Sequence, residues 1–191
     1  MELLTGSGLA LASGLNAYVP MLLIGLLSRY TTLVHLPPEW AWITNGWVLV
    51  VLGVLLAVEV VADKVPAVDH VNDILQTVVR PTAGGIVFAA GSGAVTPATT
   101  DPGEFLTSAA VLPFACGVVL ALITHIAKAG VRAGVNLSTA GVGAPVASTV
   151  EDITAVALTI VALLLPVLVL VLIAAAAVVV WRLQRRRTRA A

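Results

Sequence analysis

The run Ile153-TAVALTIVALLLPVLVLVLIAAAAVVV-Trp181 decides the fold: 29 residues carry no charge, and Arg182, Arg185, Arg186, Arg187 and Arg189 follow directly. A bilayer core about 30 Å thick takes roughly 20 apolar residues as helix. At 1.5 Å per residue this run would reach about 43 Å, enough to cross with tilt. Positive charge next to a span end is retained on the cytoplasmic side, so the arginine tail (182–191) belongs there and the transmembrane domain is residues 1–181. Composition agrees, with 59% hydrophobic and 10% charged residues, against about 25% charge in soluble domains. The net charge of zero hides an acidic body, because half of the basic residues sit in the last ten positions. Nothing in that distribution points to nucleic acid.

Working back toward the N-terminus, uncharged stretches mark four more candidate spans: Gly6–Ser28, Ala41–Val58, Pro81–Thr96 and Phe105–His125. The expected fold is an all-α polytopic membrane helix bundle of about five spans, with broken or re-entrant polar segments. The Met-Glu start lacks a basic leader region, so the first run reads as a retained span. With the tail inside, an odd count puts the N-terminus outside. Asp63–Arg80 and Lys128–Asp152 then also face out, against the usual placement of Lys64, Arg80, Lys128 and Arg132. Trp40, Trp42 and Trp47 suit a membrane–water boundary. Cys116 is the single cysteine, so an internal disulfide and a cysteine metal cluster are excluded.

Three stretches depart from plain apolar helix. Gly14-Leu-Asn-Ala-Tyr-Val-Pro20 puts a proline in the first run, freeing carbonyls that need partners, one of which Asn16 could supply. Pro81–Thr96 holds Gly84, Gly85, Gly91 and Gly93. Ala133–Val150 is uncharged yet rich in small and polar residues. Each glycine-rich stretch admits two readings, re-entrant backbone lining a cavity or close helix packing through small residues.

Ionisable residues within or beside spans mark functional sites by default, and here they form two stripes. Glu59 and Asp63 close the second span. Asp69, Asp73, Gln76 or Thr77, and Arg80 then fall on one helical face, opposite Val68, Val71, Leu75 and Val78. His125, Lys128, Arg132, Asn136 and Thr139 share a face if their helix continues past Gly130 and Gly134. Glu151 and Asp152 stand at the start of the last span, where acids suit the positive end of a helix dipole. One stripe is mainly acidic and the other mainly basic, and both lie on one side of the membrane. They either pair and hold the bundle mouth together, or line a polar vestibule leading toward Asn16 and Pro20. A short echo between Thr82-Ala-Gly-Gly85 and Thr139-Ala-Gly-Val142 hints at duplication.

Catalysis is the lesser expectation. Asp69-His-Val-Asn-Asp73 sets two carboxylates one turn apart, as a Mg²⁺ pyrophosphate site would. That chemistry needs a second acidic motif, and Asp101 with Glu104 lies on the opposite side. No nucleophile set is legible, no cofactor is implied, and a metal is left unassigned.

The segments Gly14–Pro20, Glu59-Val-Val-Ala-Asp-Lys-Val-Pro-Ala-Val-Asp69, Arg80-Pro81 and Ala129–Asp152 together resemble a widespread family of small bacterial integral-membrane proteins catalogued as a domain of unknown function. The resemblance covers nearly the whole chain. It implies a multi-pass inner-membrane protein and brings no substrate or catalytic residues. The functional expectation is a small transporter or channel-like protein for an ion or a small polar or anionic solute. The alternative is a structural or accessory subunit of a larger membrane complex. Its partner is the lipid bilayer, and its size is compatible with a homo-oligomer.

Overall fold

The computed structural model describes residues 1–64, 66–93 and 111–190, with the side chains of 66–71, 176, 179–181, 183, 184 and 186–190 outside that description. Asp69, the Pro97–Glu104 loop and the start of the expected fourth span therefore lie outside the described residues. The rest is a helical membrane bundle, as the sequence predicts. Seven α-helices are described: α1 (Glu2–Leu15), α2 (Tyr18–Tyr30), α3 (Gly46–Ala62), α4 (Pro66–Gly91), α5 (Val111–Thr139), α6 (Ala144–Leu164) and α7 (Pro166–Ala190), with a 3-10 helix at Pro38–Thr44. Among these residues α5 and α6 are each long and apolar enough to cross a membrane. The 3-10 helix and α3 would make a third span, bent by 59° between them.

Side-chain placement is that of a protein whose solvent is lipid. Ile74, Leu75 and Val78 of α4 are exposed, while Gln76 and Arg80 on its other face are buried. On α6 the buried residues are Ala144, Ser148, Ala155, Thr159 and Ala162, at steps of three, four or seven that keep to one helical face, and Val146, Val150, Ile153 and Ile160 point outward. Small and polar residues face in because lipid tails are as apolar as valine and leucine, so association rests on close packing and polar contacts.

The first apolar run is a hairpin. Glu2, Thr5 and Leu9 of α1 line one cavity of about 200 Å³ together with Ile24 of α2 and Leu33–Leu36 beyond it. An unbroken helix would hold Glu2 and Leu33 about 45 Å apart. The helices, of 14 and 13 residues, are each about 20 Å long, short of a 30 Å hydrocarbon core. Gly6–Ser28 thus folds back on itself instead of running as one helix. The break also lies elsewhere than at Pro20, which occupies the first turn of α2, where a missing N–H leaves no bond unmade. Asn16 makes the break: its backbone is extended (φ −145°, ψ 119°) and its Oδ1 accepts from the Tyr18 and Val19 amides, both at 3.1 Å.

A second break follows α6. The chain breaks at Leu165 (φ −137°, ψ 60°). A Cβ on Gly8 would lie 2.5 Å from the Ala162 Cβ and 2.8 Å from a Val169 methyl. Seven residues of straight helix would separate those two by about 10 Å, so the chain bends sharply and α7 does not prolong α6. The expected fifth span is therefore two helices.

The other glycine-rich stretches resolve into helix packing. α4 runs through Pro81 without interruption. A Cβ on Gly84 would strike Ala121 and the Gly117 carbonyl, one on Gly117 the Gly84 carbonyl and Phe88, and one on Gly14 the Ala121 carbonyl and Thr124. The backbones of α1, α4 and α5 meet there. Ala133–Val150 is a helix, a turn and a helix: α5 continues past Gly130 and Gly134, and Ala140 (φ 50°) and Gly141 (φ 84°) reverse the chain into α6. Thr82–Gly85 lies inside a helix and Thr139–Val142 in this turn, so their likeness is not a structural repeat.

Candidate functional site

The two stripes meet. Residues 125, 128 and 132 stand three and four apart on α5, so one face carries His125, Lys128 and Arg132 inward, and all three are buried. α4 presents Asp73, Thr77 and Arg80 to them by the same spacing. α3 contributes Glu59, with Asp63 just past its end, and α6 contributes Glu151 and Asp152 from its second turn.

Arg80, with no exposed side-chain surface, donates from Nη2 to Glu59 Oε1 at 2.9 Å and from Nη1 to Asp73 Oδ1 at 3.4 Å. Asp63 Oδ2 faces Arg132 Nη2 at 3.0 Å, Lys128 Nζ at 3.5 Å and Arg80 Nη2 at 3.9 Å, and the Asn72 amide donates to its other oxygen at 2.8 Å. Glu151 takes Arg132 in a fork, Nε at 3.0 Å and Nη2 at 2.8 Å to Oε2, and Lys128 Nζ at 3.1 Å. Burial alone would push the Asp63 carboxyl up. Lys128, Arg132 and Arg80, with the Asn72 amide, outweigh it and hold this group below its ordinary value.

Arg80 Nη1 also lies 3.0 Å from His125 Nδ1. A guanidinium only donates, so Nδ1 accepts and the ring proton sits on Nε2. That nitrogen is 3.1 Å from Thr77 Oγ1, which donates in turn to the Asp73 carbonyl at 2.9 Å.

The hairpin tip ends in this cluster. Lys128 Nζ donates to the Leu15 carbonyl at 2.9 Å, and Asn16 Nδ2 donates to Asp152 Oδ1 at 3.0 Å. The negative end of α1 thus meets a cation. Asn16, capping the positive end of α2, is held by an anion. Ser13 Oγ donates to the Arg80 carbonyl at 3.3 Å, tying the same helix to α4.

Ten of the twelve residues singled out in the sequence join this assembly: Asn16, Glu59, Asp63, Asp73, Arg80, His125, Lys128, Arg132, Glu151 and Asp152. Asn136 does not; it lies a turn beyond Arg132 with its Oδ1 buried and unpartnered. Asp69 is outside the described side chains. Lys64 turns back to the Val60 carbonyl at 3.1 Å. The Leu15 carbonyl, Ser13 and Asn72 were not anticipated. A carbonyl freed by a helix break leaves no mark in composition, but Ser13 and Asn16 at a spacing of three, beside a glycine, were a readable sign of a polar helix face. Among the described residues, no group of three His, Cys, Asp or Glu side chains is placed to hold a metal ion.

A search of curated proteins found no match, and neither did a search of solved structures. A family model does match, over residues 3–186, and it takes in both helix breaks and the whole charge cluster. The chain belongs to the family described as a domain of unknown function, DUF4126.

Proposed function

We propose that this protein is a small transporter or channel-like protein that moves an ion or a small polar or anionic solute, with the buried charge cluster as its central site. One observation carries the reading: a re-entrant hairpin ends inside the bundle with a free backbone carbonyl on Lys128, beside Asp63 and Glu151. Half-helices whose broken ends meet charged groups inside the membrane are how many transporters build a binding site. Apolar residues of similar volume would hold helices together as well or better than buried ion pairs. Retaining so many charges in a membrane protein therefore favours function over adhesion.

The hairpin also suggests an orientation. Because Gly6–Ser28 returns to the side it entered, Lys64, Lys128 and Arg132 lie toward the opposite end of the bundle from Glu2. We take the arginine tail at the end of α7 to lie on that same side. A cytoplasmic placement of this end puts all of these positive charges inside, and we place the protein in the bacterial inner membrane on that basis.

The test is reconstitution of the purified chain into liposomes, with ion and pH-sensitive dyes reporting flux and Lys128→Met as comparator. Flux in the native chain and loss in the variant are expected; no flux for any ion or small anion would sink the reading. A structural or accessory subunit of a larger complex is the second reading, favoured by the internal pairing of the cluster. It predicts that the protein migrates from native membranes in a complex with other polypeptides.

A further inference from the structure

We propose that Glu59 is a proton-binding site and that the proton is the ion coupled to transport. Among the described side chains, four carboxylates, Glu59, Asp63, Asp73 and Glu151, form ion pairs with three cations, Arg80, Lys128 and Arg132. The ion-paired groups alone leave one negative charge over, with Asp152 on the Asn16 amide as a further anion beside them; in a buried site such a surplus is costly, and a proton is the smallest way to reduce it.

The geometry assigns that proton to one oxygen. Asp63 faces all three cations, and Glu151 faces two. Asp73 keeps 22% of its side chain exposed, so water can solvate it. Glu59 has a single ion-pair partner, Arg80, on Oε1, and is 2% exposed. Its Oε2 is buried with no hydrogen-bond partner. The charges around this carboxylate are Arg80 from α4, Lys128 from α5 and Asp63 from the end of its own helix. A proton taken from water forms the Oε2–H bond, reduces the surplus, and leaves Oε1 free to accept from Arg80. The new donor needs an acceptor. Gln76, one turn before Arg80 on the same face of α4, has a buried Oε1 that is also unpartnered, an acceptor that a bridging water would bring into use.

The proton's role in transport rests on the reading above; its binding at Glu59 does not. The two are separated by combining infrared spectroscopy with flux on the same proteoliposomes. Lowering the pH stepwise should raise a protonated-carboxyl C=O band. That band should be lost in Glu59→Gln and kept in Glu151→Gln. If Glu59→Gln fails to fold, Glu59→Asp serves instead: it should keep a band at a shifted frequency, which then no longer responds to [¹³C]glutamate labelling. Absence of the band from the native chain, its survival in Glu59→Gln, or an unshifted band in Glu59→Asp overturns the proposal. A band that behaves as expected without any proton flux leaves the site standing and removes the transport reading. Band and flux lost together in Glu59→Gln support both.

Discussion

Replacing Arg80 by methionine tests the cluster most directly. The side chain is fully buried and holds Glu59 at 2.9 Å, Asp73 at 3.4 Å and His125 Nδ1 at 3.0 Å. Asp63 would keep Lys128 and Arg132, and Asp73 can be solvated through its exposed portion. Glu59 would lose its only ion-pair partner. Orphaning a buried charge costs about 3–5 kcal/mol, whereas a water-screened pair costs less than about 1 kcal/mol. We expect the larger figure for Arg80→Met, measured by equilibrium unfolding in mixed detergent micelles. Adding Glu59→Met should recover at least about 2 kcal/mol, since the double variant removes the orphan and the two residues are in contact. The penalty of the single variant should shrink as pH falls, because a protonated Glu59 no longer carries the stranded charge. Lys128→Met should cost less, as both of its acids keep Arg132. A loss below about 1 kcal/mol for Arg80→Met, or a double variant no more stable than the single, would refute the picture of a dry, mutually dependent cluster.

In a Cys116→Ala background, cysteines at Glu2 and Thr32 should react with an impermeant maleimide from one side of the membrane, and cysteines at Val142 and Arg185 from the other; opposite sides for Glu2 and Thr32 would make the first run a span. Asn16→Ala should cost about 1 kcal/mol for the lost cap and more for the lost bond to Asp152, seen as a lower melting temperature and faster hydrogen exchange at the Tyr18 and Val19 amides. Gly117→Val should destabilise by about 1–3 kcal/mol in the same unfolding assay, while Gly130→Val, on an open face, should leave melting unchanged.

The helical membrane character was readable from charge-free runs, and so was the site, because residues 73, 76, 80 and 125, 128, 132 recur at helical spacing whatever surrounds them. Pairing also followed from their opposite charge. The path of the chain between these faces was not readable. A charge-free run looks the same whether it crosses the membrane or folds back, so Gly6–Ser28 and Ile153–Trp181 each read as one span. Proline misled at Pro20. Pro20 and Pro166 sit at helix starts, where they are tolerated, and the chain breaks at the residues just before those helices, Asn16 and Leu165. Ala133–Val150 drew attention by lacking both charge and bulk, yet its small residues serve a tight helical turn.

Where Gly14, Gly84 and Gly117 bring three backbones together, little more than the Cβ atoms of Ala121, Thr124 and Phe88 stands between the helices. Such a contact resists sliding, since carbonyls and Cα atoms have nowhere to yield, but it leaves neighbouring segments free to tilt about it. α4 and α5 extend to both sides of this point, with the charge cluster on one side and Leu112 and Gly91 on the other. The crossing is therefore a fulcrum: spreading the two helices at the charged end closes them at the apolar end, and the reverse. A lipid or solute wedged beside Leu3, Phe88 and Leu112, in the apolar groove there, would press the contacts of Thr77 and Arg80 with His125, which join α4 to α5, more tightly shut.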